Sequence, residues 1–279
     1  MGDENFYGML QSDVERFLAE DIGEWDDSNL IVPETEAQAY VLSREECAIA
    51  GLAEAASILD HLHLAHETLF DEGEYVPAGA VVMTIRGNAR QILRGERLVL
   101  NMLSRMSGIT TITRECAVRA GGVRVACTRK TTPGFRLYEK RAVALGGGDP
   151  HRHNLSGAVL IKDNHIKLLG LEAAIASARE TASFTKRIEV EVEDLEQMTR
   201  AAELGADIVM FDNMQPSEIR AGVERLIRMG LRDRVILEAS GGITPQNVGQ
   251  YASTGVDVVS MGALTRDARW IDFSLEMSD

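Results

Sequence analysis

At 279 residues, 45 per cent of them hydrophobic, the chain carries enough apolar material for one large domain or two ordinary ones. Its net charge of −14, from 43 acidic against 29 basic residues, excludes a general nucleic-acid binder, which needs a basic surface to displace counterions from phosphates. Three isolated cysteines, Cys47, Cys116 and Cys127, fit neither a zinc spacing nor an even disulfide set, and MGDENFYGML lacks a basic leader with a long apolar run behind it, so the expectation is a soluble, cytoplasmic protein.

In chain order, Asp13 to Ala19 and Glu45 to Leu59 carry apolar residues at helical intervals, with Ser12 and Ser43 placed as amino-terminal caps. Ala37 to Leu42 and Val81 to Ile85 have the pattern of strands, punctuated by Gly73, Pro77, Gly79 and Gly87. His61, His63 and His66 look superficially like metal ligands, but no fourth ligand accompanies them and no zinc is assigned. An amphipathic helix over Gly95 to Met106 closes this first unit. The expected division is a mixed helix and sheet unit over 1–107 and an incomplete parallel α/β barrel over 108–279, with the extreme carboxyl terminus free to return to the first domain.

Beyond that boundary, six apolar runs end in polar residues and alternate with helical segments: Val123 to Ala126, Ala158 to Ile161, Ile188 to Val192, Ile208 to Phe211, Val235 to Leu237 and Val256 to Ser260. This is the alternation of a parallel α/β domain, whose strand ends meet on one face and build the site there. The length left after Met106 is short for a complete eight-stranded barrel of about 250 residues. A doubly wound sheet is the competing architecture, but no GxGxxG follows the first strand to support a dinucleotide site.

The segment from Cys127 to Ile166 concentrates basic groups in this acidic chain: Arg129, Lys130, Arg136, Lys140, Arg141, His151, Arg152 and Lys162. Repeated glycines and prolines put several of them on loops, and a positively lined cleft in a negative protein focuses small anionic ligands. Cys127 beside this cluster reads as a small buried strand residue in preference to a thiol nucleophile. Ser240, Gly241 and Gly242 follow a strand and precede a helix start at Pro245 to Asn247, while Gly262 lies at the next strand end, so these four are the candidate phosphate cradle. Gly146 to Gly148 reads instead as a flexible connector presenting His151 and Arg152. Glu191 and Asp212, near successive strand ends, suit a magnesium ion held through water. Glu189 shares the face of Glu191 but lies farther from the strand's carboxyl end.

The ordered set Glu20 to Gly23, Gly95 to Arg97, Ser107 to Ile109, Thr128 to Thr131, His151-Arg152, Ile161 to His165, Glu189 to Glu191, Asp212-Asn213, Ser240 to Ile243 and Gly262 to Leu264 resembles the quinolinate phosphoribosyltransferase family over nearly the full length. The resemblance implies an amino-terminal α/β sandwich followed by an incomplete parallel α/β barrel, transfer of a phosphoribosyl group from phosphoribosyl diphosphate to quinolinate with loss of carbon dioxide, magnesium dependence, and assembly as a homodimer or larger oligomer. It places Arg129, His151, Arg152 and Lys162 around the quinolinate carboxylates, with Arg97 reaching a neighbouring subunit's site. Lys130 and Lys162 fall near the diphosphate or ribose end, Glu191 and Asp212 on the magnesium and ribose side, and Lys130, Lys162, Glu191 and Asp212 are the catalytic candidates. The sequence departs from the family pattern at Trp25 to Ser28 and at Arg266, where the family often has histidine. Two other readings stand beside this one: a related phosphoribosyltransferase with another anionic acceptor, and a non-catalytic phosphate-ligand sensor.

Overall fold

The computed structural model describes residues 8–278, so the start of the amino-terminal stretch read above lies outside it. The chain forms two compact units, Met1–Thr111 with Ala268–Asp279 and Ile112–Asp267. The first contains α1 (Gln11–Ile22), β1 (Glu36–Ser43), β2 (Cys47–Ala48), α2 (Leu52–His61), β3 (Ala65–Thr68), β4 (Tyr75–Val76), β5 (Val81–Asn88) and most of α3 (Ala89–Arg119). The second carries β6 (Arg124–Ala126), α4 (Arg136–Leu145), β7 (Val159–Ile161), α5 (Asp163–Leu169), α6 (Leu171–Thr181), β8 (Ile188–Val192), α7 (Leu195–Glu203), β9 (Ile208–Asp212), α8 (Pro216–Arg228), β10 (Ile236–Ser240), α9 (Val248–Ala252), β11 (Val258–Ser260) and α10 (Ala263–Arg266). The chain then returns to the first unit as β12 (Phe273–Met277).

In the first unit, β12, β1, β5 and β3 form an antiparallel sheet in that order, and β2 pairs with β4. The helix expected over Glu45 to Leu59 begins only at Leu52. Ser43 is the buried end of β1, and its hydroxyl donates to the Glu45 carbonyl instead of capping a helix. Gly51, at φ 95°, makes the turn into α2, and the Glu72 carboxylate caps the free amides of Gly51 and Ala53 at 3.0 Å each. At α1 the cap position is Leu10, so Ser12 falls inside the first turn. The three histidines of this unit take separate partners or turns: His61 meets Gln11, His66 meets Asp60, and His63 has φ 58°.

The helix α3 runs unbroken through Ser107 and Gly108. Gly108 is there for close approach, because a Cβ would lie 1.8 Å from the Arg269 carbonyl oxygen. The returning chain crosses the helix at that point, with Arg105 donating to the Ala268 carbonyl at 2.9 Å and the Ile271 amide to Ser104 at 3.1 Å. In the divergent segment Trp25 to Ser28, Asp26 accepts from Asn29 and pairs with Arg94 at 2.9 Å, anchoring a short 3-10 turn over Asp27–Ile31.

The second unit is one parallel sheet in the order β6-β11-β10-β9-β8-β7, its edges β6 and β7 leaving the barrel open. The strands are short and almost wholly buried, as expected where helices cover a parallel sheet. On β8, Val190 and Val192 alternate with Glu189 and Glu191, which puts the two carboxylates on one face. At the open edge, Asp149 bridges Ala126 in parallel and exchanges backbone bonds with Val125 and Cys127. The connector before it is ordered: Gly146 and Gly147 finish α4 with hydrogen bonds to Ala142 and Ala144, and a Cβ at Gly148 would meet Thr113 at 2.6 Å and Val143 at 2.8 Å. It delivers His151 as anticipated, but as a packed helix terminus and not as a flexible tether.

Candidate active site

The ends of the six strands enclose a cleft of about 360 Å³. β6 runs into Cys127, Thr128, Arg129 and Lys130. The Asp149 bridge carries the chain to His151 and Arg152, and β7 ends at Lys162. Opposite these cations, β8 supplies Glu191, β9 Met210 and Asp212, β10 Glu238 and Ser240, and β11 Ser260. The anticipated Arg129, Lys130, His151, Arg152, Lys162, Glu191, Asp212 and Ser240 are thus gathered from six separate chain segments. Arg97 lies on α3 in the first unit.

The rim is held by pairs that a ligand can reorganise. Lys162 makes an ion pair with Glu191, and the amide of Lys162 donates to His165 Nδ1 at 3.0 Å, which fixes the start of α5. Asp212 accepts from its neighbour Asn213 at 2.8 Å. Among the described residues, Arg129 buries its Nε without a hydrogen-bond acceptor, a donor that a planar carboxylate can satisfy. Arg152 donates to the Ala158 carbonyl at 3.2 Å. Other members of the basic cluster serve the loops: Arg136 donates to Thr131 at 2.9 Å and to the His153 carbonyl at 3.1 Å.

Glycine is required at Gly241, where φ is 90° and a Cβ would lie 2.4 Å from the Asn213 side chain. Gly262 faces Lys130, whose Cδ would be 2.9 Å from a Cβ there. Gly241, Gly242 and Gly262 leave only backbone at the ends of β10 and β11, beside the Ser240 and Ser260 hydroxyls, which bond each other at 2.9 Å. The helix expected from Pro245 starts at Val248, since Asn247 instead closes a turn onto Thr244 and Gly242. Arg266 is turned to Asp267, donating through two nitrogens at 2.7 and 2.6 Å, so its charge is spent on its neighbour.

Beneath the rim lies a layer that the sequence reading did not single out. Glu189 is 0 % exposed and Glu238 2 %. Glu238 Oε2 is 3.3 Å from His151 Nε2, and Glu189 Oε2 is 3.9 Å from the same nitrogen. Neither oxygen of Glu189 has a hydrogen-bond partner among the described residues. Burial first, and then the Glu238 carboxylate, push the Glu189 carboxyl up to about 7. The bond to Glu238 raises the proton affinity of His151 against the effect of burial. From α4 comes Lys140, also 0 % exposed, which donates to the Pro150 carbonyl and to Cys127 Sγ, the latter at 3.5 Å. Burial lowers its affinity for a proton and raises that of the Cys127 thiol, so Cys127 is a packed floor residue and not a nucleophile. In sequence this layer was signalled by the alternation of Glu189 with Glu191, by Glu238 near a strand end and by Lys140 in the basic cluster.

Fold and cleft together define an open α/β-barrel protein with basic and acidic side chains gathered at the ends of its parallel strands. The descriptions "Quinolinate phosphoribosyl transferase, N-terminal domain" and "C-terminal domain" match residues 26–107 and 109–276. The chain belongs to the quinolinate phosphoribosyltransferase family. It is 48 % identical over 248 residues to a probable nicotinate-nucleotide pyrophosphorylase (carboxylating) of Methanothermobacter thermautotrophicus, covering 87 % of this chain and 89 % of the relative. The Homo sapiens nicotinate-nucleotide pyrophosphorylase (carboxylating) is 38 % identical over 269 residues, covering 95 % and 90 %. The solved nicotinate-nucleotide pyrophosphorylase of Francisella tularensis superposes with a TM-score of 0.89 at 35 % identity, covering 96 % of this chain and 95 % of that one.

Proposed function

We propose that this cleft binds quinolinate against its deeper basic side and phosphoribosyl diphosphate along the glycine-bearing strand ends. The reaction is decarboxylating phosphoribosyl transfer: the ring nitrogen of quinolinate attacks the sugar carbon, diphosphate leaves, and loss of carbon dioxide gives nicotinate mononucleotide in NAD biosynthesis. The observation that supports the division most is the convergence of Arg129, His151 and Arg152 from β6 and the Asp149 bridge onto one side of the cleft. Bidentate guanidinium groups suit planar carboxylates, and their fixed charge opposes the negative charge that develops on the ring as carbon dioxide departs. Lys130 and Lys162 lie toward the diphosphate and ribose, and Ser240, Gly241, Gly242 and Gly262 toward the 5′-phosphate. No residue need form a covalent bond, because orientation and charge are the main contributions to such a displacement.

The donor set fits magnesium. Glu191 and Asp212 offer two carboxylates on the cleft wall, which suits an ion that keeps most of its water and is held by one or two carboxylates plus substrate phosphates. When bound, magnesium neutralises charge on the departing diphosphate. Glu191 and Asp212 would hold the hydrated ion, and opening of the Lys162–Glu191 ion pair would free Lys162 for the substrates. The active assembly is a homodimer or larger oligomer, with Arg97 of one subunit serving the cleft of the next. No helix among the described residues is long and apolar enough to cross a membrane, and we place the enzyme in the cytoplasm.

Chromatography of a reaction holding both substrates tests this reading. With magnesium present, nicotinate mononucleotide and diphosphate should accumulate together; after chelation, turnover should stop while quinolinate still binds by calorimetry. Folded protein that forms no mononucleotide from both substrates and magnesium overturns it.

A further inference from the structure

His151 is the residue of the cleft with the most constrained surroundings. Its backbone is left-handed at φ 53°, uncommon for a residue with a side chain. Its amide donates to Asp149 Oδ1 at 2.7 Å, and its Nδ1 accepts the Arg152 amide at 2.8 Å. Because Nδ1 is an acceptor, the ring proton sits on Nε2, which points at Glu238. That assignment also settles what the cluster of His151, Glu189 and Glu238 is for. Their ligand atoms lie within 4.8 Å of one another, but a protonated Nε2 has no lone pair to offer a metal.

We propose that Glu238 is a positioning residue which, through His151, sets the geometry of the quinolinate end of the cleft. Glu238 is suited to this. It lies on β10 with paired strands on either side, in register with Met210 and Val258, so its backbone is fixed from both edges. The bond it accepts orients the imidazole, and the imidazole in turn holds the Arg152 amide and the first turn of the segment bearing the Arg152 guanidinium. Buried Lys140 fixes the same segment one residue earlier, at the Pro150 carbonyl. Among the described residues Glu189 sits behind His151 without a hydrogen bond of its own, so Glu238 is the acceptor that holds the Nε2 proton while the Arg152 amide holds Nδ1.

The inference rests on the placement of quinolinate beside His151, and two independent readouts separate the two ideas. Nitrogen-15 spectra of histidine-labelled protein, assigned with a His151→Asn variant and recorded at a pH above the raised His151 transition, should show the imidazole with its proton on Nε2. In Glu238→Leu this signal should shift toward a mixture of tautomers, and kcat/KM for quinolinate should fall about 10- to 100-fold, the loss expected of one hydrogen bond to a charged group. KM for phosphoribosyl diphosphate should stay within about twofold. Glu238→Gln, whose carbonyl can still accept from Nε2, should keep the tautomer and restore most of the quinolinate rate. A parent spectrum with the proton on Nδ1 overturns the proposal even if the leucine variant does not fold. So does an equal loss for both substrates in a folded variant. Failure of the quinolinate placement would look different: the tautomer would respond to Glu238 while quinolinate kinetics did not.

Discussion

The rim and the floor of the cleft use charge in opposite ways. At the rim, Lys162 and Glu191 meet where water still reaches the lysine, which is 46 % exposed, and such pairs rearrange at little cost. On the floor, Glu189, Glu238 and Lys140 are buried with few partners, an arrangement that costs stability and persists where it fixes geometry. The contrast is between rim pairs that are free to change partners and buried groups that hold their neighbours in place. Cleft substitutions should therefore separate by depth and by side.

The largest effect is expected from Arg152→Ala. It should lower kcat/KM for quinolinate by about 30- to 1000-fold, in line with removing one partner of a desolvated charge pair, while KM for phosphoribosyl diphosphate changes only a few-fold. Steady-state kinetics with each substrate varied in turn reads this, and equal losses would mean that Arg152 is on the wrong side of the division. Next comes Gly241→Ala, which combines a φ of 90° with a contact of 2.4 Å to Asn213. It should cost roughly 1–3 kcal/mol of stability and raise KM for phosphoribosyl diphosphate, whereas Gly242→Ala, whose Cβ would meet open space, should do less of both. Thermal melts and kinetics of the two variants decide the matter, and equivalent behaviour contradicts the cradle geometry.

A smaller effect, seen in pH dependence, should come from Glu189→Gln. The Glu189 carboxyl is raised from 4.5 to about 7. A group raised in this way favours the folded state below its unfolded value, and that contribution is lost as pH climbs through the folded one. Glutamine does not ionise, so the stability of the variant relative to the parent should grow across this window, by about 1–3 kcal/mol. Melts at about pH 5 and about pH 8 test the sign, since a gap that fails to widen removes the buried-acid description. The smallest effect belongs to Arg266→His. Arg266 is engaged by Asp267 at the surface, so KM for phosphoribosyl diphosphate should stay within about twofold; a larger change would bring Arg266 into the phosphate site.

Much of the rim was legible in the sequence because polar residues at the ends of apolar runs are conspicuous. Lys162 and Asp212 each terminate a hydrophobic strand, and Arg129 and Lys130 follow one. The floor was harder to see. Glu189 and Glu238 lie within strands, where sequence does not show how deeply each is buried, and Lys140 lies in a helix among other charged residues, Arg136, Glu139 and Arg141. Only the closing of strands from distant parts of the chain shows that these groups face one another. The same limit applied to local signals. Ser43 has the chemistry of a cap but ends a strand, and Gly108 looks like a break yet admits the Arg269 carbonyl against a continuous helix. Short-range chemistry proposes such roles, and tertiary contact decides among them.

The most direct test follows carbon dioxide released from carboxyl-labelled quinolinate alongside nicotinate mononucleotide. Both should appear in equal amounts, only when phosphoribosyl diphosphate and magnesium are present, and neither from quinolinate alone. Quinolinate binding without either product in folded, magnesium-supplied enzyme, or carbon dioxide released without mononucleotide, would contradict this account of the cleft.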